Sequence, residues 1–300
     1  MIVETRNLTK RFRGNAVVND LCLRVPEGAA LALIGANGAG KTTTLRMLAN
    51  ILQPDGGSAQ VLGVDSRRLS PQDFYRIGYV SESQQLPPRL TIAQYYGYLR
   101  RLYPTWDRQL EDKLRLQLDL PADRALSKLS HGMRMKALLL SALAYRPALL
   151  LLDEPLSGLD PLVRDEMMEG LLRQADETTL VMSSHELTEI EACTTHVAFM
   201  DRGRLVFQDA SEDLAARFRE VTVVLTGRVG VPAELLGELP AEWLSPETAG
   251  QTLRFVDSGY TDDASLAQRL AAVLGPARFE AQPLSLRDIS KSLMRAARRE

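Results

Sequence analysis

Ala30-Leu-Ala-Leu-Ile-Gly35-Ala-Asn-Gly-Ala-Gly-Lys41-Thr42-Thr43 carries an apolar run straight into a glycine-rich turn and then into a helical pattern. The run from Ala29 to Ile34 has the unbroken apolar character of a strand covered on both faces. Thr42 to Leu52 has helical spacing and stops before Pro54-Asp55-Gly56-Gly57. Between them, Gly35 to Thr42 fits the spacing GxxxxGK[ST]. Glycines let successive backbone N–H groups curl around phosphate without Cβ clashes, and the following helix N-terminus favours the anion. Gly35, Ala36, Asn37, Gly38, Ala39, Gly40, Lys41, Thr42 and Thr43 therefore form the candidate ATP-binding loop. In it Lys41 reaches the outer phosphates and Thr42 can ligate Mg2+. Glycine-rich loops arise by chance, but the strand–loop–helix setting selects the nucleotide reading.

Before this stretch, short alternating runs broken at Arg13-Gly14-Asn15 and Pro26-Glu27-Gly28 predict antiparallel strands. After it, residues 91–146 have mainly helical spacing. Tyr95, Tyr96, Tyr98, Tyr103 and Trp106 cluster there and are expected to pack in a helical core. Leu149 to Leu152, Leu180 to Met182 and Val197 to Met200 read as buried parallel strands. The fold class is thus α/β with a helical insert.

Leu149-Leu-Leu-Leu-Asp153-Glu154-Pro155 delivers adjacent carboxylates to the C-terminal end of a strand, the edge at which open α/β sheets bind ligands. Asp153 could hold Mg2+, and Glu154 could polarise the water that attacks a γ-phosphate. In isolation such a pair is as often a solvated turn. Leu129-Ser130-His131-Gly132-Met133 precedes a helix expected to begin near Arg134, where serine and glycine alone would be ordinary caps.

The ordered set of phosphate loop, Leu-Ser-x-Gly, Leu₄-Asp-Glu-Pro, Ser157-Gly158-Leu159-Asp160 and Ser184-His185 resembles the ATP-binding cassette (ABC) ATPases across residues 1–215. That resemblance implies a P-loop ATPase cassette with an antiparallel β subdomain and a helical subdomain at about 91–146. It also implies head-to-tail dimerisation, so that Ser130 and Gly132 would contact ATP bound by a second cassette and Asp160 would couple the two sites. Glu154, His185 and Lys41 would be catalytic, with His185 on the γ-phosphate. Phe12 is either the aromatic that stacks on adenine or a core phenylalanine; His131 and His196 are read as surface or structural residues.

The chain departs from the family pattern twice. His131 and Met133 flank Gly132 where the family commonly has glycine and glutamine. Aligning Leu86-Pro-Pro-Arg-Leu90 with its usual sequel puts Glu82 where the family has a Mg2+-sensing glutamine, with Gln84 or Gln85 substituting only if the loop shifts. Glu82 can still serve as an oxygen ligand to the metal. This loop and the ending Leu284-Ser-Leu-Arg-Asp-Ile289 resemble the branch of drug, antibiotic and lipid exporters.

With 300 residues and a net charge of −2, the chain has room for two domains and lacks a positive field for nucleic acid. Residues 216–300 are expected to form a small C-terminal α+β accessory domain, with strands at Val221 to Leu225, Thr252 to Val256 and about Arg278 to Ala281 and a helix from Asp263 to Leu274. Cys22 and Cys193 suit a reducing cytosol and are expected to be packing residues. The most apolar stretch, Ala137 to Leu152, is broken by Arg146-Pro147, and no secretory leader follows Met1. The expected location is cytoplasmic, peripheral on the cytoplasmic face of the cell membrane, with integral-membrane transporter subunits and a second cassette as partners. Alternatives are an importer cassette or a soluble ABC ATPase of macromolecular assembly.

Overall fold

Residues 1–172, 178–225, 236, 239–275 and 277–297 are described by the computed structural model. The chain divides into two compact units, Met1–Gln208 and Asp209–Glu300.

In the first unit, five strands form an antiparallel sheet: β1 (Val3–Phe12), β2 (Asn15–Leu21), β3 (Arg24–Val25), β5 (Gly56–Val61) and β6 (Val64–Asp65). They run in the order β2-β1-β5-β6, with β3 also on β1. The second sheet has six strands, β4 (Ala30–Ile34), β7 (Ile77–Ser81), β8 (Leu149–Asp153), β9 (Thr179–Ser184), β10 (His196–Asp201) and β11 (Arg204–Ala210). Its order is β11-β10-β4-β9-β8-β7, with β10 through β7 parallel. Every residue of β4, β8 and β9 is buried, which is why these strands read as apolar runs rather than alternations.

Helix α1 (Lys41–Leu48) starts directly after the glycine turn at the end of β4. It is shorter than the Thr42-to-Leu52 span its spacing suggested, because Asn50 takes a left-handed φ of 55° and ends it. The short α2 (Pro71–Phe74) precedes β7. Three helices then form the insert: α3 (Ile92–Leu102), α4 (Arg108–Gln117) and α5 (His131–Leu143). Thr91 and Gln94 make a reciprocal capping box at α3, Asp107 caps α4, and Ser130 caps α5. The last corrects the expected start near Arg134: Ser130 Oγ accepts from the Met133 amide at 3.3 Å, so the helix opens at His131.

The aromatic cluster is largely a packing device. Tyr103 stacks on Tyr145 with centroids 4.1 Å apart, and the fully buried Tyr96 donates its hydroxyl to the Ala137 carbonyl at 3.1 Å. Trp106 Nε1 donates to Glu111 at 2.8 Å. Tyr98 is the exception: it is 57% exposed, because Ile92, Tyr95 and Tyr96 take up the buried face of α3. Helix α6 (Pro161–Leu172) follows β8. Among the described residues no helix is long and apolar enough to cross a membrane.

The second unit opens with α7 (Ser211–Arg217). Strands β12 (Arg219–Val224), β13 (Trp243–Ala249), β14 (Thr252–Asp257) and β15 (Arg278–Pro283) form an antiparallel sheet in the order β13-β14-β12-β15. Leu266, Leu270 and Leu274 share one face of α8 (Asp263–Leu274) and cluster with Val221, Val223, Leu253 and Phe255. Trp243 stacks on Phe255 at 4.3 Å, and the buried Asp257 accepts from Arg269 Nη1 at 3.0 Å. The chain ends in α9 (Leu286–Ala297).

The cysteines differ. Cys193 is buried beside the sulfurs of Met168 and Met182, and burial pushes its thiol up to about 12. Cys22 is exposed, contrary to its expected packing role, because it lies in the turn between β2 and β3. A small alkylating reagent at neutral pH should therefore modify one thiol of the native chain quickly, mapped by mass spectrometry to Cys22. Cys193 should react only under denaturing conditions, since the thiolate is the nucleophile; rapid double labelling would contradict this packing.

Candidate functional site

The site grows from the carboxyl ends of β4, β8 and β9. Gly40, at the entrance to α1, has φ 102°, and a Cβ there would lie 2.6 Å from the Val17 carbonyl oxygen. The turn can close against β2 only with glycine at this position. Lys41 is 5% exposed; its Nζ donates to the Gly35 carbonyl at 2.6 Å and lies 3.1 Å from Glu154 Oε1. Asn37, Gly38, Gly40, Thr42, Thr43 and Val17 line a small cavity whose floor is Lys41 and Glu154. A buried ammonium, a ring of loop amides and a helix N-terminus in one concavity make a receptor for a polyanion.

Asp153 is nearly fully buried and its charge is met by hydroxyls. Thr42 Oγ1 donates to Oδ1 at 2.8 Å, Ser183 Oγ to Oδ1 at 2.9 Å, and Ser81 Oγ approaches Oδ2 at 3.5 Å. This is a set of hard oxygen donors beside a phosphate loop, which fits Mg2+. Among the described residues no group of three or more His, Cys, Asp or Glu side chains is placed to hold a metal ion.

Glu154 turns out of β8 with φ 50°, a left-handed conformation stabilised by its amide donating to Ser183 Oγ at 2.9 Å. Its carboxylate is shared: Oε1 faces Lys41 and Oε2 lies 3.0 Å from His185 Nδ1. The hydrogen bond that His185 donates to the Glu154 carboxylate, against the opposing effect of partial burial, raises the His185 pKa above its ordinary 6.5. A raised folded-state pKa means that the imidazolium contact stabilises the nucleotide-free chain below about pH 6.5 and is lost as pH rises through the shifted value. The melting-temperature difference between the wild type and His185→Gln should accordingly be largest at pH 5.5–6 and shrink toward pH 8. A pH-independent difference would mean that His185 does not titrate against Glu154.

Phe12 is 45% exposed at the end of β1, with Lys10 Nζ 5.6 Å from its ring centroid, so it is a surface aromatic and not a core one. Ser130, Gly132 and Asp160 lie close to one another's elements. A Cβ on Gly132 would meet Val163 at 3.1 Å, and Asp160 Oδ1 caps α6 by accepting from the Val163 amide at 3.1 Å. Glu82 lies near β8, its amide 3.4 Å from the Asp153 carbonyl oxygen, while its carboxylate is 3.9 Å from His131 Nε2. Gln84 lines a separate cavity with Tyr79, Tyr95 and Tyr103, so the loop has not shifted it into the place of Glu82. His196 is half-buried at the start of β10, bonded to Thr195.

Sequence reading missed Ser183, Ser81 and Val17. Ser183 had a signal, a polar residue ending an apolar strand beside the Ser184-His185 pair. Ser81 ends β7 in the same way. Val17 approaches the loop only through the fold.

Fold and site together define a P-loop ATPase of the α/β class. The profile described as ABC transporter matches residues 18–157. The ABC transporter ATP-binding protein YtrB of Bacillus subtilis is 31% identical over 206 residues, 68% of this chain and 70% of that protein. A sulfate/thiosulfate import ATP-binding protein, CysA of Bradyrhizobium diazoefficiens, is 33% identical over 78% of this chain and 71% of its own length. A Nod factor export ATP-binding protein I of Cupriavidus pinatubonensis is 32% identical over 71% of this chain and 67% of its own. Among solved structures, the ATP-binding subunit of an ABC transporter superposes with a TM-score of 0.65 at 24% identity, covering 71% of this chain and 92% of that one, a likeness of fold. This chain belongs to the ABC transporter family, as an ATP-binding subunit. Cassettes of this family are ATPases that power transport; they dimerise and work with membrane subunits.

Proposed function

We propose that the chain hydrolyses ATP in a composite site formed by two copies and that it drives an exporter from the cytoplasmic face of a membrane. The observation that carries this reading is the Lys41–Glu154–His185 contact, buried at Lys41 and open to solvent at His185, together with the Thr42–Asp153 pair. Without nucleotide, Lys41 and His185 both hold the Glu154 carboxylate. An entering γ-phosphate carries more negative charge and offers more acceptors, so it draws both cations onto itself. Glu154 is then free to orient a water and accept its proton as the oxygen–phosphorus bond forms and the bond to ADP breaks. Thr42 and Asp153 would hold Mg2+, which neutralises phosphate charge during transfer.

Ser130 and Gly132 of one copy would close over the ATP of the other, and the Asp160 loop would link the two sites. Phe12, exposed at the end of β1, would stack on adenine. Export is supported by the Glu82 loop with its Leu86-Pro-Pro-Arg-Leu90 sequel, although relatives are named for import as well as export. Copurification with membrane subunits, followed by ATP-dependent substrate flux in vesicles, tests the direction; uptake toward the cassette side would overturn it. The second unit is read as an accessory domain supporting the dimer. Truncation after Gln208 should leave ATP affinity intact and weaken dimerisation, and an unfolded truncation would refute the division.

A further inference from the structure

Glu82 and His131, two of the three positions at which the chain departs from the family pattern, face each other. His131 opens α5, and its ring is held on three sides. Arg134 Nη2 lies 3.2 Å from Nδ1. A guanidinium can only donate, so Nδ1 is the acceptor and Nε2 carries the hydrogen. That hydrogen is directed to the Ser157 carbonyl at 3.1 Å, and Glu82 Oε1 stands 3.9 Å from the same nitrogen. Gly158, with φ 66°, comes so close that a Cβ on it would lie 3.7 Å from Nε2. One side chain thus touches the start of the signature helix, the loop that ends at Asp160 and the loop that carries Glu82. A glycine at position 131 could make none of these contacts.

We infer that His131 is a positioning residue that fixes the Ser157–Asp160 loop on the signature turn of its own chain, so that Ser130, Gly132 and Asp160 are presented to the second copy as one rigid unit. The presentation to a second copy rests on the composite-site reading above; the contact within the chain does not. The polar partners of His131 are Ser157, Arg134 and Glu82, none of them in the phosphate loop. Losing it should lower turnover and leave ATP binding to the single chain unchanged, since only the alignment of the trans elements is disturbed. Loss of one hydrogen bond of this kind predicts a fall in kcat of about threefold to tenfold.

The test uses the full chain with His131→Leu, which keeps bulk without a donor, and His131→Gln, whose amide can donate from nearly the same position as Nε2. Hydrogen–deuterium exchange is measured for residues 155–160 in the nucleotide-free state, alongside kcat, the affinity for a fluorescent ATP analogue and the melting temperature. The expected result is faster loop exchange and reduced kcat in His131→Leu, recovery of both in His131→Gln, and unchanged nucleotide affinity and melting temperature in each. Unchanged loop exchange in His131→Leu overturns the inference, as does equal loss in both variants or a fall in nucleotide affinity matching that in kcat. If the wild type itself lacks turnover, the composite-site reading falls, while loop exchange still decides the contact by itself.

Discussion

Glu154→Gln is expected to lower the ATPase rate of the purified chain by about two to four orders of magnitude, the usual contribution of a placed general base. The substitution is nearly isosteric and its one amide oxygen can still face Lys41 or His185, so nucleotide should still bind. What disappears is the charge that accepts a proton. The left-handed φ of 50° and the amide bond to Ser183 fix this side chain by its backbone, so no neighbouring carboxylate can replace it. Asp153 is committed to the hydroxyls of Thr42, Ser183 and Ser81. A coupled assay at saturating Mg-ATP checks the expectation. Residual turnover within a few-fold of wild type would assign the base elsewhere.

Lys41→Ala should weaken ATP binding by about ten- to a hundredfold. A charge-assisted hydrogen bond contributes roughly 1.5–3 kcal/mol, and Lys41 is the one phosphate-facing cation that lies inside the loop itself. The change also leaves Glu154 without its ammonium partner and therefore adds an uncompensated negative charge beside the incoming phosphate. Calorimetric titration with ATP reads the loss. The double variant Lys41→Ala, Glu154→Gln should recover part of it, because the repelling charge is then gone. Equal weakening in single and double variants would show that Glu154 does not oppose nucleotide in the absence of Lys41.

The chemical site was largely legible in the sequence because its parts sit at punctuation points, where a strand of buried residues ends and the residue types change. Gly35 to Thr43, Asp153-Glu154 and His185 are all of this kind. Ser183 and Ser81 follow the same rule but were passed over, since a serine after an apolar strand carries no chemistry until a buried carboxylate is seen to need a donor. Phe12 could not be separated from a core phenylalanine in sequence, because β1 buries its residues irregularly and only the fold shows which face the strand end presents.

The second unit was less readable. The helix from Asp263 to Leu274 stood out through its leucines four residues apart. Strand β13 did not, because Ser245 takes a φ of 49° and the pairing slips between Leu244 and Glu247, which disturbs the alternation that would have announced it. The contact of Glu82 with His131 was likewise invisible, since each residue was read against its own motif and only the fold brings the start of α5 to the loop after β7.

ATP joins two copies of the chain in the proposed cycle. The measurement that tests it most directly is light scattering of the eluted Glu154→Gln chain on gel filtration, with and without Mg-ATP. The expected mass is near 33.2 kDa without nucleotide and twice that with it, with Ser130→Arg abolishing the shift. A chain that binds ATP by calorimetry yet elutes as a monomer at saturating nucleotide would contradict it.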